Sequence, residues 1–264
     1  MSSLLKFTRQ GQGQSLVFIH GWGLNSGVWQ PTVEKLARTY QVITIDLPGF
    51  GLNVENTISP YTLTNISEQI CNSIDEPAIF VGWSLGGLVT TQIAINHPNK
   101  VQGLVTIASS PCFIEKQTNS TEKWFGIKPQ VLQMFYQQLD DDIEKTLASF
   151  LKIQAMGSPH IRQDIKQLRD LIMDYPIPSK HTLAQSLQLL SSEDLRSQLS
   201  HINVPFLRMY GRLDSLVPKA AIEAIDKLAP NSEAIIFNKA SHVFFISHFD
   251  EFIEQLTTWL NRNY

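Results

Sequence analysis

Between Ala78 and Val89 the chain reads AIFVGWSLGGLV, an apolar run that breaks into a serine bracketed by Gly82 and Gly86 and leaves as a helical pattern. No other stretch limits the possible folds as much. Side chains two residues before and two after the serine would collide where a backbone doubles back from strand to helix. Glycine at both places therefore points to a sharp turn that lifts Ser84 above a sheet. A strand that feeds straight into a helix also implies a right-handed crossover to a parallel neighbour.

The alternation recurs along the chain. SLVFIH (15–20), QVITID (41–46), AIFVG (78–82), LVTIA (104–108), PFLRMY (205–210) and EAIIF (233–237) are short aliphatic runs that end near Gly, Asp or Ser before helical patterns. They predict a mostly parallel central sheet flanked by helices on both faces. Between about Phe113 and Gln188 the alternation stops and no strand is expected. Apolar residues there recur at helical spacing: Val131, Met134, Phe135 and Leu139, then Ile143, Leu147, Phe150 and Leu151, then Ile161, Ile165, Leu168 and Ile172. Lys128-Pro129, Asp140 to Asp142, Gly157-Ser158-Pro159 and Pro176/Pro178 mark helix starts and breaks. The expectation is an α/β core made of residues 1–113 and 186–264, with a lid of about four helices inserted at 114–185.

A chain that is 43% hydrophobic and 17% charged with a net charge of −3 reads as an ordinary soluble globular protein, giving no reason to expect nucleic acid or an anionic membrane as partner. MSSLLKFTRQGQGQ lacks the apolar core of a secretion signal, and no run of uninterrupted apolar residues is long enough to span a bilayer, so a cytoplasmic location is expected. Cys71 and Cys112 lie far apart without CxxC spacing, which argues against a disulfide framework or a zinc site. Cys112, in ASSPCF, could serve as a nucleophile, but a small buried apolar role is the plainer reading.

A serine hydroxyl is a weak nucleophile, so Ser84 needs a base within hydrogen-bond reach and a carboxylate to orient that base. In a sheet of this kind the chain order is serine, acid, histidine. Of the seven histidines, His242 in KASHVFF follows the strand EAIIF in a late loop, where an imidazole can descend on the serine. His248 is the runner-up, read as a residue at the start of the helix FDEFIEQLTTWL. For the acid, Asp214 follows PFLRMY by a short glycine-containing loop. Asp194 and Asp226 also fall between Ser84 and His242 but belong to polar helical patterns and read as solvated, while Asp46 precedes the serine and reads as a turn residue for LPGFG. HGWG, His20 to Gly23, follows the first clear strand, where the second oxyanion donor of this arrangement sits, so the backbone amides of Trp22 and Leu85 are the expected pair. His20 reads as structural.

Taken as a set, HGWGLNSGVW, DLPGFG, GWSLGGLVTTQIAINHP, ASSPCF, FGIKPQVL, FLKIQAMG, PFLRMYGRLDSLVP and KASHVFFISH resemble the BioH family, the pimeloyl-[acyl-carrier protein] methyl ester carboxylesterases of biotin synthesis. The likeness covers nearly the whole chain, lid included. It implies an α/β-hydrolase fold, with Ser84 as nucleophile, Asp214 as acid, His242 as base, and Trp22 and Leu85 as oxyanion donors. It implies substrate contacts from Trp22, Ser84, Leu85 and His242, together with the lid segment Phe150, Leu151, Lys152, Ile153 and Gln154. It also implies docking of the acyl-carrier protein on four basic lid positions. Three of these match Lys145, Arg162 and Lys166; the fourth is Ser149, and Arg169 is the available substitute. A monomer that needs neither metal nor organic cofactor is expected.

The residues themselves leave two points open. Phe150 shares a helix face with Ile143 and Leu147, which suits either a lid core or a wall for a thin acyl chain. Residues 143–169 hold five basic residues against two acidic ones, and Arg162, Lys166 and Arg169 fall on one face. That pattern suits either a solvated helix or a docking face for an acidic partner. A general short-chain carboxylesterase without a carrier substrate fits the same triad. A non-catalytic receptor on this scaffold could lose the base, whereas here all three triad members stand in order.

Overall fold

A computed structural model describes residues 4–117 and 123–264. The chain begins with strands β1 (Phe7–Gln10) and β2 (Ser15–Ile19), helix α1 (Gln30–Leu36), β3 (Gln41–Ile45) and α2 (Leu63–Ser73). β4 (Ala78–Trp83), α3 (Leu85–Asn96) and β5 (Val101–Ile107) follow. Beyond the lid come β8 (Phe206–Gly211), α8 (Lys219–Leu228), β9 (Glu233–Phe237), the short α9 (Phe244–Ser247) and α10 (Phe249–Asn263). The lid between these halves contributes β6 (Lys116–Gln117), β7 (Lys123–Trp124), α4 (Pro129–Asp141), α5 (Ile143–Ala155), α6 (Ile161–Ile172) and α7 (Lys180–Ser192).

The seven-stranded sheet runs β1-β3-β2-β4-β5-β8-β9, parallel throughout except where β1 pairs antiparallel with β3. All six expected strands are present. β1 went unread because FTRQ is an edge strand with no apolar run, held by backbone pairing from Phe7–Ile45 to Gln10–Val42.

Alternation within single strands explains how one sheet supports two cores. In β2, Val17 and Ile19 face a cluster with Ile66 and Ile70 of α2, Leu88 of α3 and Ile222 of α8. Leu16 and Phe18 face the other side, with Val33 and Leu36 of α1 and Phe252 and Leu256 of α10. Burial on both faces is why β2 and β4 read as unbroken apolar runs.

The lid departs from expectation in its strands and at its end. A two-stranded antiparallel ladder, β6 (Lys116–Gln117) with β7 (Lys123–Trp124), stands where no strand was expected, because two residues per strand are too few to carry a period-two pattern. Residues 118–122, inside the expected lid, lie outside the described residues. Four helices follow: α4 (Pro129–Asp141), α5 (Ile143–Ala155), α6 (Ile161–Ile172) and α7 (Lys180–Ser192), the last running past residue 185. Asp142 caps α5 by accepting from the Lys145 amide at 2.9 Å, and Ser179 caps α7 through Thr182 at 3.1 Å. Phe135, Phe150, Leu183 and Leu187 join the first core cluster, while Leu151, Ala155 and Leu168 join the second, so the lid is packed onto the sheet domain on both sides.

Candidate active site

Ser84 caps α3 with φ 55° and ψ −117°, a left-handed conformation that costs a β-carbon-bearing residue about 1–3 kcal/mol. Backbone bonds hold it there. The Ser84 amide donates to Ile107 O at 2.9 Å, and its carbonyl accepts from Gly87 N, Leu88 N and Ser109 Oγ at 2.9, 3.2 and 2.8 Å. The flanking glycines are needed for contact reasons: a Cβ on Gly82 would run into the Gly86 carbonyl, and one on Gly86 would run into the carbonyls of Ile19 and His20. Gly86→Ala is therefore expected to destabilise the fold by about 3 kcal/mol or more, because backbone at the end of β2 cannot yield as a side chain can. Thermal unfolding reads this as a large fall in Tm or loss of the cooperative transition; a change of only a degree or two would refute the tight-turn account.

His242 follows β9 and is about 1% exposed. Its Nδ1 lies 2.7 Å from Asp214 Oδ2, and Asp214 Oδ1 accepts from the amides of Leu216 and Val217 at 2.8 and 3.1 Å. With an ionised Asp214, this network places the imidazole proton on Nδ1 and leaves Nε2 as acceptor. Nε2 has no hydrogen-bond partner among the described residues. Triads without substrate are often open at this link and tighten on binding. Trp83, directly before the serine, fixes the histidine loop by donating from Nε1 to His242 O at 3.2 Å, with its ring 5.8 Å from the imidazole.

The HGWG loop lies against this turn. A Cβ on Gly21 would come within 3.3 Å of Ser84 Cβ and 3.1 Å of the Trp83 ring. The amides of Trp22 and Leu85 donate no hydrogen bond among the described residues, and Leu85 is the first residue of α3, where the helix presents its positive end. His20 is structural. Nδ1 donates to Gly21 O at 2.8 Å, Nε2 accepts from the Leu47 amide at 3.1 Å, and burial lowers its pKa in spite of Asp46 nearby. Asp46 accepts from Ser26 N, Ser26 Oγ and Leu52 N at 2.5, 3.0 and 2.8 Å, as a turn-binding carboxylate would.

Of the two rejected acids Asp226 is exposed, as expected, and Asp194 is half-buried; both are ion-paired. Asp194 is bound by Arg196 at 2.7 Å and Lys116 at 3.0 Å, and these cations outweigh burial to hold its carboxyl down to about 2. Asp226 pairs at 2.7 Å with the buried Arg208. The ring of His248 bonds to Ser247 Oγ at 2.9 Å and to no other side chain among the described residues, and the residue caps the start of α10. Burial raises the Cys112 thiol, which suits a packed residue rather than a nucleophile.

In the lid, Phe150 sits edge-on to Trp22 at 4.6 Å between ring centres and to Phe135 at 5.2 Å, so it is both lid core and neighbour of the HGWG loop. Trp22 also donates from Nε1 to Leu183 O at 3.1 Å. Leu151 and Gln154 are buried with Phe150, Ile153 is half-buried and Lys152 is exposed, as one turn of helix requires. Neither amide atom of Gln154 has a partner among the described residues. Lys145, Arg162, Lys166 and Arg169 are all exposed and form no ion pair among the described residues; Ser149 is half-buried. Trp83 and Ser109 were not foreseen as supports of the site. An aromatic directly before the elbow serine was visible, but its indole bond to a residue 159 positions away had no local signal.

The chain belongs to the α/β-hydrolase fold family, which matches residues 14–249. In shape it is similar to an esterase from Exiguobacterium antarcticum, with a TM-score of 0.85 over 97% of this chain and 95% of that one; at 23% identity this likeness concerns the fold alone. Its relatives define a narrower group. The chain is 44% identical to a pimeloyl-[acyl-carrier protein] methyl ester esterase of Aliivibrio fischeri over 100% of both chains. It is 46% identical to one of Shewanella woodyi over 99% of this chain and 100% of the relative. Within the fold family, the chain is a member of that esterase group.

Proposed function

We propose that the protein is a serine carboxylesterase that hydrolyses the methyl ester of pimeloyl-acyl-carrier protein to pimeloyl-acyl-carrier protein and methanol in biotin synthesis. The observation that carries the chemistry is the 2.7 Å clamp of Asp214 on His242 Nδ1, which leaves Nε2 as the acceptor a nucleophilic serine needs, together with a Ser84 held on a strained turn. The named substrate of the relatives supports the choice of ester.

In this reading His242 Nε2 takes the proton of Ser84 Oγ as the oxygen attacks the ester carbonyl. The Trp22 and Leu85 amides receive the oxyanion, each donor being worth about 3 kcal/mol in the transition state. Protonated His242 hands its proton to the departing methoxide, and methanol leaves. Water, deprotonated by the same nitrogen, then attacks the acyl-enzyme and frees the carboxylate. Phe150, Leu151 and Gln154 border the acyl chain, and the unpaired amide of Gln154 is available to a polar group on it. Lys145, Arg162, Lys166 and Arg169 receive the acidic carrier, and the enzyme acts as a cytoplasmic monomer.

Methanol release from the carrier-linked ester and from a small soluble ester tests this reading. The double variant Arg162→Glu/Lys166→Glu is expected to lower kcat/KM on the carrier-linked ester by about tenfold or more while sparing the small ester, because like-charge repulsion acts only on the acidic partner. If charge reversal leaves both substrates unaffected, the carrier assignment fails and a general short-chain esterase is the better description.

A further inference from the structure

Ser84 and His242 are each about 1% exposed, so an ester must approach them through an opening between lid and core. A cleft of about 270 Å³ lies there. It is lined on the core side by Gly23 and Leu24 and on the lid side by Leu147, Leu151, Ile172 and Pro178. Gly23 directly follows the proposed oxyanion donor Trp22, and Leu151 directly follows Phe150, whose ring rests on Trp22, so the cleft borders the residues next to the proposed oxyanion donor. Its throat is apolar and its rim charged: Arg169 is the one cation on the lining and Glu144 the one anion.

Arg169 is uncommitted, forming no ion pair and no side-chain hydrogen bond among the described residues. Glu144 sits in the first turn of α5, where the positive end of the helix offsets its charge. A second cleft, of about 530 Å³, lies across Tyr175 and Pro176 and is lined by Glu34, Asp170 and Asp174, which would repel an anion. Lys145, Arg162 and Lys166 line neither cleft.

An acyl group on a carrier protein hangs from a thin pantetheine arm whose far end is a phosphodiester. An apolar throat with one free arginine at its rim is complementary to that shape and charge. Resting on the carboxylesterase reading above, we infer that Arg169 is a specificity-determining residue that binds the phosphate of the prosthetic arm while the acyl chain runs down this cleft to Trp22. The planar guanidinium can meet two phosphate oxygens at once, which the neighbouring lysines cannot do. The other basic lid residues then act on the carrier's surface and Arg169 on its arm.

The test uses the full-length protein and three soluble esters: the pimeloyl methyl ester thioesters of 4′-phosphopantetheine and of pantetheine, and a short methyl ester. Methanol release is followed for wild type, Arg169→Ala and Arg169→Lys. The expected result is a preference of wild type for the phosphorylated arm and an increase of about tenfold in KM on that substrate alone in Arg169→Ala, with kcat kept and a partial recovery in Arg169→Lys. The inference is overturned if wild type treats the two arms alike, or if Arg169→Ala weakens both equally. Hydrolysis of the short ester with neither arm-linked ester turned over would sink the carrier reading itself, and this inference with it.

Discussion

Replacing Ser84 with alanine is expected to lower methyl ester hydrolysis by roughly 10^5-fold while leaving the protein folded. The loss is large because in the proposed mechanism every covalent step passes through Ser84 Oγ; what remains is uncatalysed attack of water near the proposed oxyanion donors. The fold should hardly notice the change. The bonds that fix residue 84, to Ile107, Gly87, Leu88 and Ser109, all use its backbone, and alanine has the same Cβ at the same φ of 55°. Methanol release and thermal unfolding measured on one preparation check both halves. Retention of full activity would refute nucleophilic catalysis by Ser84, and a collapse in Tm would show that its hydroxyl supports the fold.

Much of the architecture was legible because its signals are local. GxSxG between a strand and a helix carries its own steric reason, and Gly86 shows it by lying against the Ile19 and His20 carbonyls. Parallel strands covered on both faces are mostly apolar, so β2 and β4, buried along their whole length, and the buried stretches of β3, β5 and β8 announced themselves. β1 and the β6-β7 ladder did not, since both are held mainly by backbone pairing, which places little demand on side chains. The same divide runs through the candidate site. Chain order and strand ends pick out Asp214 and His242, but Trp83 reaching His242 O and Phe150 resting on Trp22 arise from three-dimensional packing with no sequence period. Asp194 is less solvated than its polar pattern suggests for a related reason, since Lys116 lies 78 residues away in the chain; Asp226 is exposed as expected, although it also pairs with Arg208, 18 residues away.

Asp214→Asn should reduce kcat by about 10^4-fold with little change in KM, and the hydrogen bonds around Asp214 say why. Two backbone amides, from Leu216 and Val217, point at Oδ1 and need an acceptor. An asparagine must therefore turn its oxygen to them, since the opposite orientation would leave two buried donors unsatisfied at about 1–3 kcal/mol each. Its NH2 group then faces His242 Nδ1, where a donor forces the imidazole to carry its proton on Nε2 and accept at Nδ1. An Nε2–H cannot take the proton of Ser84. The variant would keep its shape and its cleft but hold the base in the wrong tautomer, so kcat falls while substrate binding survives. Asp214→Ala is a poorer probe because it strips both amides of their acceptor and mixes stability into the readout. Steady-state kinetics on the carrier-linked ester, with a matched unfolding curve, separate the two effects, and an asparagine variant that keeps half of the wild-type kcat would remove Asp214 from the proton relay.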